Sequence, residues 1–177
     1  MEKSYGIHWF RRDLRITGNT ALEWNRVQNN GCVLGIFCFD KKFLSRPDFS
    51  VNRFAFFLET LLELRTELKQ VGSDLLVLDN GPFEAFPDLF CKLQKEKIPL
   101  PKWISWGKDY EPFALERDSK AEKFFYEYGI QIHKERDHLL IEPKELIKDP
   151  KTKSGYQIYS PFARKWIEIF QTDTIQN

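Results

Sequence analysis

Hydrophobic positions along this chain follow two alternating patterns. Short, nearly continuous apolar runs occur at 5–10 (YGIHWF), 32–40 (CVLGIFCFD), 74–79 (DLLVLD), 102–106 (KWISW) and 129–133 (GIQIH). A run without polar alternation suits a strand covered on both faces, as in a parallel sheet. Between these runs lie segments with helical spacing. The clearest starts near Ser50 and reaches Gly72, with an apolar stripe of Phe54, Phe57, Leu58, Leu61, Leu62 and Leu68. FEAFPDLFCKLQKEK (83–97) reads as a shorter helix with Pro87 in its first turn. EPFALERDSKAEKFFYEYG (111–129) starts at Pro112 and stops at Gly129. The segment between the first two strands reads as a loop and a polar stretch.

Strand and helix in this alternation predict a single α/β domain, a Rossmann-like doubly wound parallel sheet of about five strands. Ligands of such sheets sit beyond the carboxyl ends of the strands. That rule brings RRDLR (11–15), DKKFLSRPDFS (40–50) and GKDYEP (107–112) to one rim.

Length and composition sharpen this picture. The 177 residues suffice for one domain with a real core, and 30% charged against 42% hydrophobic residues is ordinary for a soluble globular chain. A net charge of +1 argues against general nucleic-acid gripping through phosphates, leaving room only for a local basic patch such as Arg11, Arg12 and Arg15. Sixteen Phe and five Trp raise the aromatic share to 15%, which serves core packing or walls a pocket for a planar ligand. Cys32, Cys38 and Cys91 have neither zinc spacing nor an even count, so a reduced, cytoplasmic setting fits. The opening MEKSYG has no signal-peptide character, and no run is long enough to span a bilayer.

Candidate chemistry is sparse. No glycine-rich phosphate loop, metal-ligand spacing or nucleophile pattern occurs, so no catalytic side chain and no metal site is assigned. Gly31 and Gly35 read as turn and close-packing positions, and His8 as a packed strand histidine. Asp109 and Glu111, between a strand and a helix, serve either as capping residues or as acceptors for donors on a bound heterocycle. Arg53 opens the preceding rim helix with a fork suited to a carboxylate, a phosphate or one of these two acids. Phe37, Phe39, Phe49 and Phe54 could wall a flat ligand beside it.

WFRRDLRITGNTAL (9–22), VLGIFCFD (33–40), the stretch 52–82, WGKDYEPFALERD (106–118) and YQIYSPFARKW (156–166) together resemble the N-terminal α/β domain of the DNA photolyase/cryptochrome family. The resemblance implies that residues 1–150 form a domain holding a light-harvesting antenna chromophore. Residues 151–177 would begin the connector to a helical domain that binds flavin adenine dinucleotide (FAD). In the family that flavin repairs pyrimidine dimers, so damaged DNA is met through the helical domain and the present span alone is not repair-competent. Arg53, Asp109 and Glu111 match the positions that hold a deazaflavin or flavin mononucleotide (FMN) antenna. Phe37, Cys38, Phe39 and Asp40 line the same implied pocket, with Arg11 at its edge. A flavin-type antenna is favoured over methenyltetrahydrofolate. The alternatives are a stand-alone flavin, nucleotide or protein-interaction module of this fold, and the corresponding domain of a cryptochrome photoreceptor. The chain departs from the family pattern at Gly18, where Asp is usual, and at Gly107, where Asn is usual. The first is expected to loosen the turn behind the arginine loop, and the second lies on the antenna rim.

Overall fold

The computed structural model describes residues 4–149, 151–152 and 154–172. Two compact units make up the chain, one ending at Glu135 and one beginning at Arg136. The first holds β1 (Gly6–Phe10), α1 (Thr20–Gln28), β2 (Val33–Phe39), α2 (Val51–Gln70), β3 (Leu75–Asp79), α3 (Pro82–Lys95), β4 (Trp103–Gly107), α4 (Pro112–Glu127) and β5 (Gln131–Glu135). The second contains α5 (Tyr159–Gln171).

All five strands are parallel, in the order β3-β2-β1-β4-β5. The chain moves outward from β1 to β3, then returns to the other side of β1 for β4 and β5. The crevice between β1 and β4 is therefore the topological switch point, where doubly wound sheets bind their ligands. Alternate side chains go to opposite faces. Ile7, Trp9, Ile36, Ile104 and Trp106 pack against Phe86 and Phe90 of α3 and Phe125 of α4. Phe10 and Leu75 pack against Leu22 of α1 and Leu61, Leu64 and Leu68 of α2. Gly35 permits this second layer, because a Cβ there would stand 2.9 Å from the Phe10 ring and 3.0 Å from Leu68.

The helix at 20–28 departs from the expected polar stretch. Asn19 caps it by accepting from the Leu22 N–H at 3.1 Å. Its buried side is Ala21, Leu22 and Asn25, too polar to make an apolar stripe. In α2 the buried positions are Leu61, Leu64 and Leu68, while Leu58 and Leu62 of the expected stripe are exposed. The axis is turned so that the i, i+3, i+7 row meets the sheet. Pro87 lies inside α3 rather than in its first turn, because Pro82 already occupies the first position. The run at 74–79 forms one of the sheet's two edge strands, with Leu76 and Val77 exposed.

Of the stretch 151–177, residues 159–171 form helix α5, and 153 and 173–177 lie outside the described residues.

Candidate functional site

The loop after β1 is held by buried polar contacts that start on the strand itself. His8 is fully buried, with Nδ1 2.9 Å from Ser105 Oγ and Nε2 3.5 Å from Asp13 Oδ2. Asn25 donates to Ser105 Oγ at 2.9 Å and to the Ile7 carbonyl at 2.8 Å, and Asn19 donates to Asp13 Oδ2 at 3.1 Å. Burial would raise the Asp13 pKa. The hydrogen bond and charge of His8, with backbone N–H donors, outweigh it and bring Asp13 down to about 2. The Ser–His–Asp alignment faces no solvent, so it orders the loop and does not present a nucleophile. Gly18 sits in the following turn at φ +70°, with its carbonyl accepting from Arg15 at 3.2 Å. This is a conformation glycine adopts without the usual Cβ cost.

The loop's first two arginines point to different carboxylates. Arg11 donates to Asp118 Oδ1 of α4 at 2.5 Å and to the Gly107 carbonyl. Its guanidinium lies 5.2 Å from the Trp9 ring centre and 5.9 Å from that of Trp106. Burial lowers its pKa, and the neighbouring Arg117 adds to that. Asp118 also accepts from Arg117 Nε and Nη2 at 3.0 and 2.9 Å and from Trp106 Nε1 at 3.1 Å. Arg12 bridges Asp109 and Glu111, at 3.0 Å to each. Those bonds, led by the one to Glu111, raise the Arg12 pKa. Asp109 is lowered although burial opposes it, by the Tyr110 and Glu111 N–H groups and the Arg12 charge.

Two adjoining cavities open at the carboxyl ends of these strands. One, of about 300 Å³, is lined by Phe37, Cys38, Phe39, Asp40, Phe43 and Phe57. Its phenylalanines continue into a cluster: Phe37–Phe57 5.4 Å, Phe39–Phe54 5.8 Å, Phe49–Phe54 5.6 Å and Phe43–Phe49 5.8 Å between ring centres. The other, of about 290 Å³, shares Phe37, Cys38 and Asp40 and is completed by Trp9, Phe10, Arg11, Arg12, Pro82, Phe113 and Arg117. Burial pushes the Cys38 thiol up to about 12 against the opposing charge of Arg117, so it acts as an apolar wall.

The expected site residues thus divide between these places. Phe37, Cys38 and Phe39 line the aromatic cavity, and Phe49 joins its cluster. Arg11 lines the second cavity. Asp109 and Glu111 line neither; both are engaged by Arg12. Arg53 donates to the Asp48 carbonyl at the start of α2 and not to those acids. Sequence reasoning missed Arg117 and Asp118 as site residues. Their adjacency in the ERD triplet of α4 was visible, but nothing along the chain linked them to Arg11.

The sequence profile of the DNA photolyase family matches residues 6–176. The chain belongs to that family. It is 34% identical over 167 residues to an uncharacterized 31.6 kDa protein of Synechococcus sp. PCC 6716, covering 92% of this chain and 55% of that one. To a deoxyribodipyrimidine photo-lyase of Synechococcus sp. PCC 6301 it is 31% identical over 160 residues, covering 90% of this chain and 31% of the relative. The chain therefore spans about half the length of the first and under a third of the second. The archaeal photolyase of Sulfolobus tokodaii superposes with a TM-score of 0.69 at 29% identity, over 90% of this chain and 34% of that one. That photolyase was solved with two FAD molecules, with the implication of a novel light-harvesting cofactor. Five parallel strands flanked by helices match the N-terminal Rossmann-like domain of this family. Among the described residues, no helix is long and apolar enough to cross a membrane.

Proposed function

We propose that this chain is the antenna-chromophore domain of a light-driven deoxyribodipyrimidine photolyase, and that its aromatic cavity holds a flavin-type ring. The observation that carries this reading is the 300 Å³ cavity walled by Phe37, Phe39, Phe43 and Phe57 at the carboxyl end of β2. An apolar, aromatic-walled cleft of this size takes a planar ring by burying its faces, and nearby polar groups fix its orientation. A bound antenna would supply excitation energy to a second flavin in the helical domain. The role of this chain's residues is to hold the ring and exclude water from it. FMN, a deazaflavin and FAD are the candidate occupants, the last by analogy with the Sulfolobus photolyase. Arg53, Asp109 and Glu111 act at the rim, the acids by holding Arg12 in place. The three free thiols suit a reducing, cytoplasmic setting. Residues 1–150 form the antenna domain in this reading, and 151–177 lead to the helical domain, through which damaged DNA is met.

Titration with FMN and with a deazaflavin, followed by quenching of ligand fluorescence, tests the reading. At least one should bind, and Phe57→Ala should weaken it about tenfold, the cost of one aromatic wall. Absence of binding by both, in folded protein, overturns it. Under blue light, the 177 residues alone should leave cyclobutane dimers in DNA intact.

A further inference from the structure

The charged cavity at the carboxyl ends of β1 and β2 holds an imbalance of charge that the aromatic cavity does not explain. Two guanidiniums, Arg11 and Arg117, converge on one oxygen of one carboxylate, Asp118 Oδ1. Both are largely shielded, with side chains 8% and 17% exposed, and Asp118 is 8% exposed. Two cations against one anion leave an excess positive charge where water screens poorly, an arrangement that costs free energy unless an anion joins it.

The other nearby carboxylates make their hydrogen bonds elsewhere, although the charges of Asp13 and Asp109 also act on Arg11. Asp13 faces His8 and the Arg11 backbone N–H. Asp109 and Glu111 hold Arg12. Asp40, the one acid of the cavity wall among the described residues, accepts from the Lys42 N–H at 2.9 Å and caps the 3-10 turn at Lys41–Ser45. Arg11 donates through Nη1 to Asp118 and through Nη2 to the Gly107 carbonyl, whereas Arg117 spends Nε and Nη2 on Asp118 and its Nη1 has no hydrogen-bond partner among the described residues. The Arg117 guanidinium, 5.5 Å from the Trp9 ring centre, lines the cavity, and Arg12 lines it too.

We propose that the cavity bounded by Arg11, Arg12 and Arg117 is an anion subsite that takes the phosphate of a phosphorylated planar chromophore. This rests on the reading that the chromophore's ring fills the adjoining phenylalanine cavity. The two cavities share Phe37, Cys38 and Asp40, so a ring in one can extend a phosphorylated side chain into the other. Guanidinium forks suit phosphate because their donors match its oxygens in pairs. The subsite therefore selects a phosphorylated flavin over its dephosphorylated form.

The test compares FMN with riboflavin, which share the ring and differ in the phosphate. FMN should bind about 10- to 100-fold more tightly, the range for a charge-assisted hydrogen bond. Arg117→Gln should weaken FMN alone and close the gap, whereas Arg117→Lys should keep part of it. The Gln variant leaves Arg11 and Asp118 as a neutral pair, which favours folding, and circular dichroism checks this. If it does not fold, Arg12→Gln, at a half-exposed side chain lining the same cavity, reads the same gap. Equal binding of FMN and riboflavin overturns the subsite while leaving the chromophore reading intact. A gap that persists unchanged in the Gln variant also overturns the assignment. Binding of neither flavin defeats both.

Discussion

Arg11 and Asp118 stand 107 positions apart in the chain and 2.5 Å apart in the fold, joining the loop after β1 to helix α4 across the sheet's switch point. Trp106 and Arg117 donate to the same carboxylate, so Asp118 holds two of the arginines that line the charged cavity as well as the loop.

Asp118→Asn is expected to destabilise the protein by about 3–5 kcal/mol, because two shielded guanidiniums lose their only shared carboxylate. Urea unfolding measures it as a lower midpoint at unchanged slope. A midpoint equal to wild type would show that water already compensates those charges.

Asp13 gives the stability a defined acid dependence. Its carboxyl sits at about 2 in the fold against 3.8 as the reference. A depressed carboxyl stabilises the fold above its unfolded pKa, and that contribution fades as pH falls from about 3.8 to about 2. The shift corresponds to about 2 kcal/mol at neutral pH. Asp13→Asn should therefore be less stable than wild type at pH 7, with the difference shrinking through that acid window. A difference independent of pH would contradict the assignment to Asp13.

Gly6 packs directly under α1. A Cβ there would lie 1.9 Å from Asn25 Oδ1 and 2.6 Å from Asn29 Nδ2. Gly6→Ala should cost about 1–3 kcal/mol through displacement of the buried asparagines, read as a fall in thermal midpoint. An unchanged midpoint would mean that α1 shifts freely.

The three thiols should separate by reactivity. Cys32 and Cys91 are exposed, whereas burial drives the Cys38 thiol up to about 12. Since the thiolate is the nucleophile, an aromatic disulfide reagent at pH 8 should label two thiols quickly in folded protein and the third only after denaturation. Fast reaction of all three would show that the cavity wall at Cys38 opens.

The strands were legible because parallel strands covered on both faces need little polar alternation; 33–39 and 103–107 stand out as apolar runs for that reason. Helix α1 was not, because its inner side carries Asn25, and Asn29 follows at its cap, both bonded to buried polar partners. A stripe of apolar residues cannot announce a helix that packs through amides. The edge position of β3 was equally hidden, since Leu76 and Val77 look the same in a run whether or not a neighbouring strand covers them.

At the rim, arginines and acids could be counted in the chain, but their pairing could not. Asp109 and Glu111 chose Arg12 over Arg53, and Asp118 drew Arg11 from the far side of the crevice. Local patterning and the family motifs were sufficient for the order of the five strands and of helices α2, α3 and α4, the parallel α/β class and the rim where ligands gather, because these follow from short-range periodicity and chain direction. The division of that rim into an aromatic cavity and a charged one came only with the folded chain. Which guanidinium meets which carboxylate depends on distances between segments as many as 107 residues apart, and nothing local in the sequence encodes them.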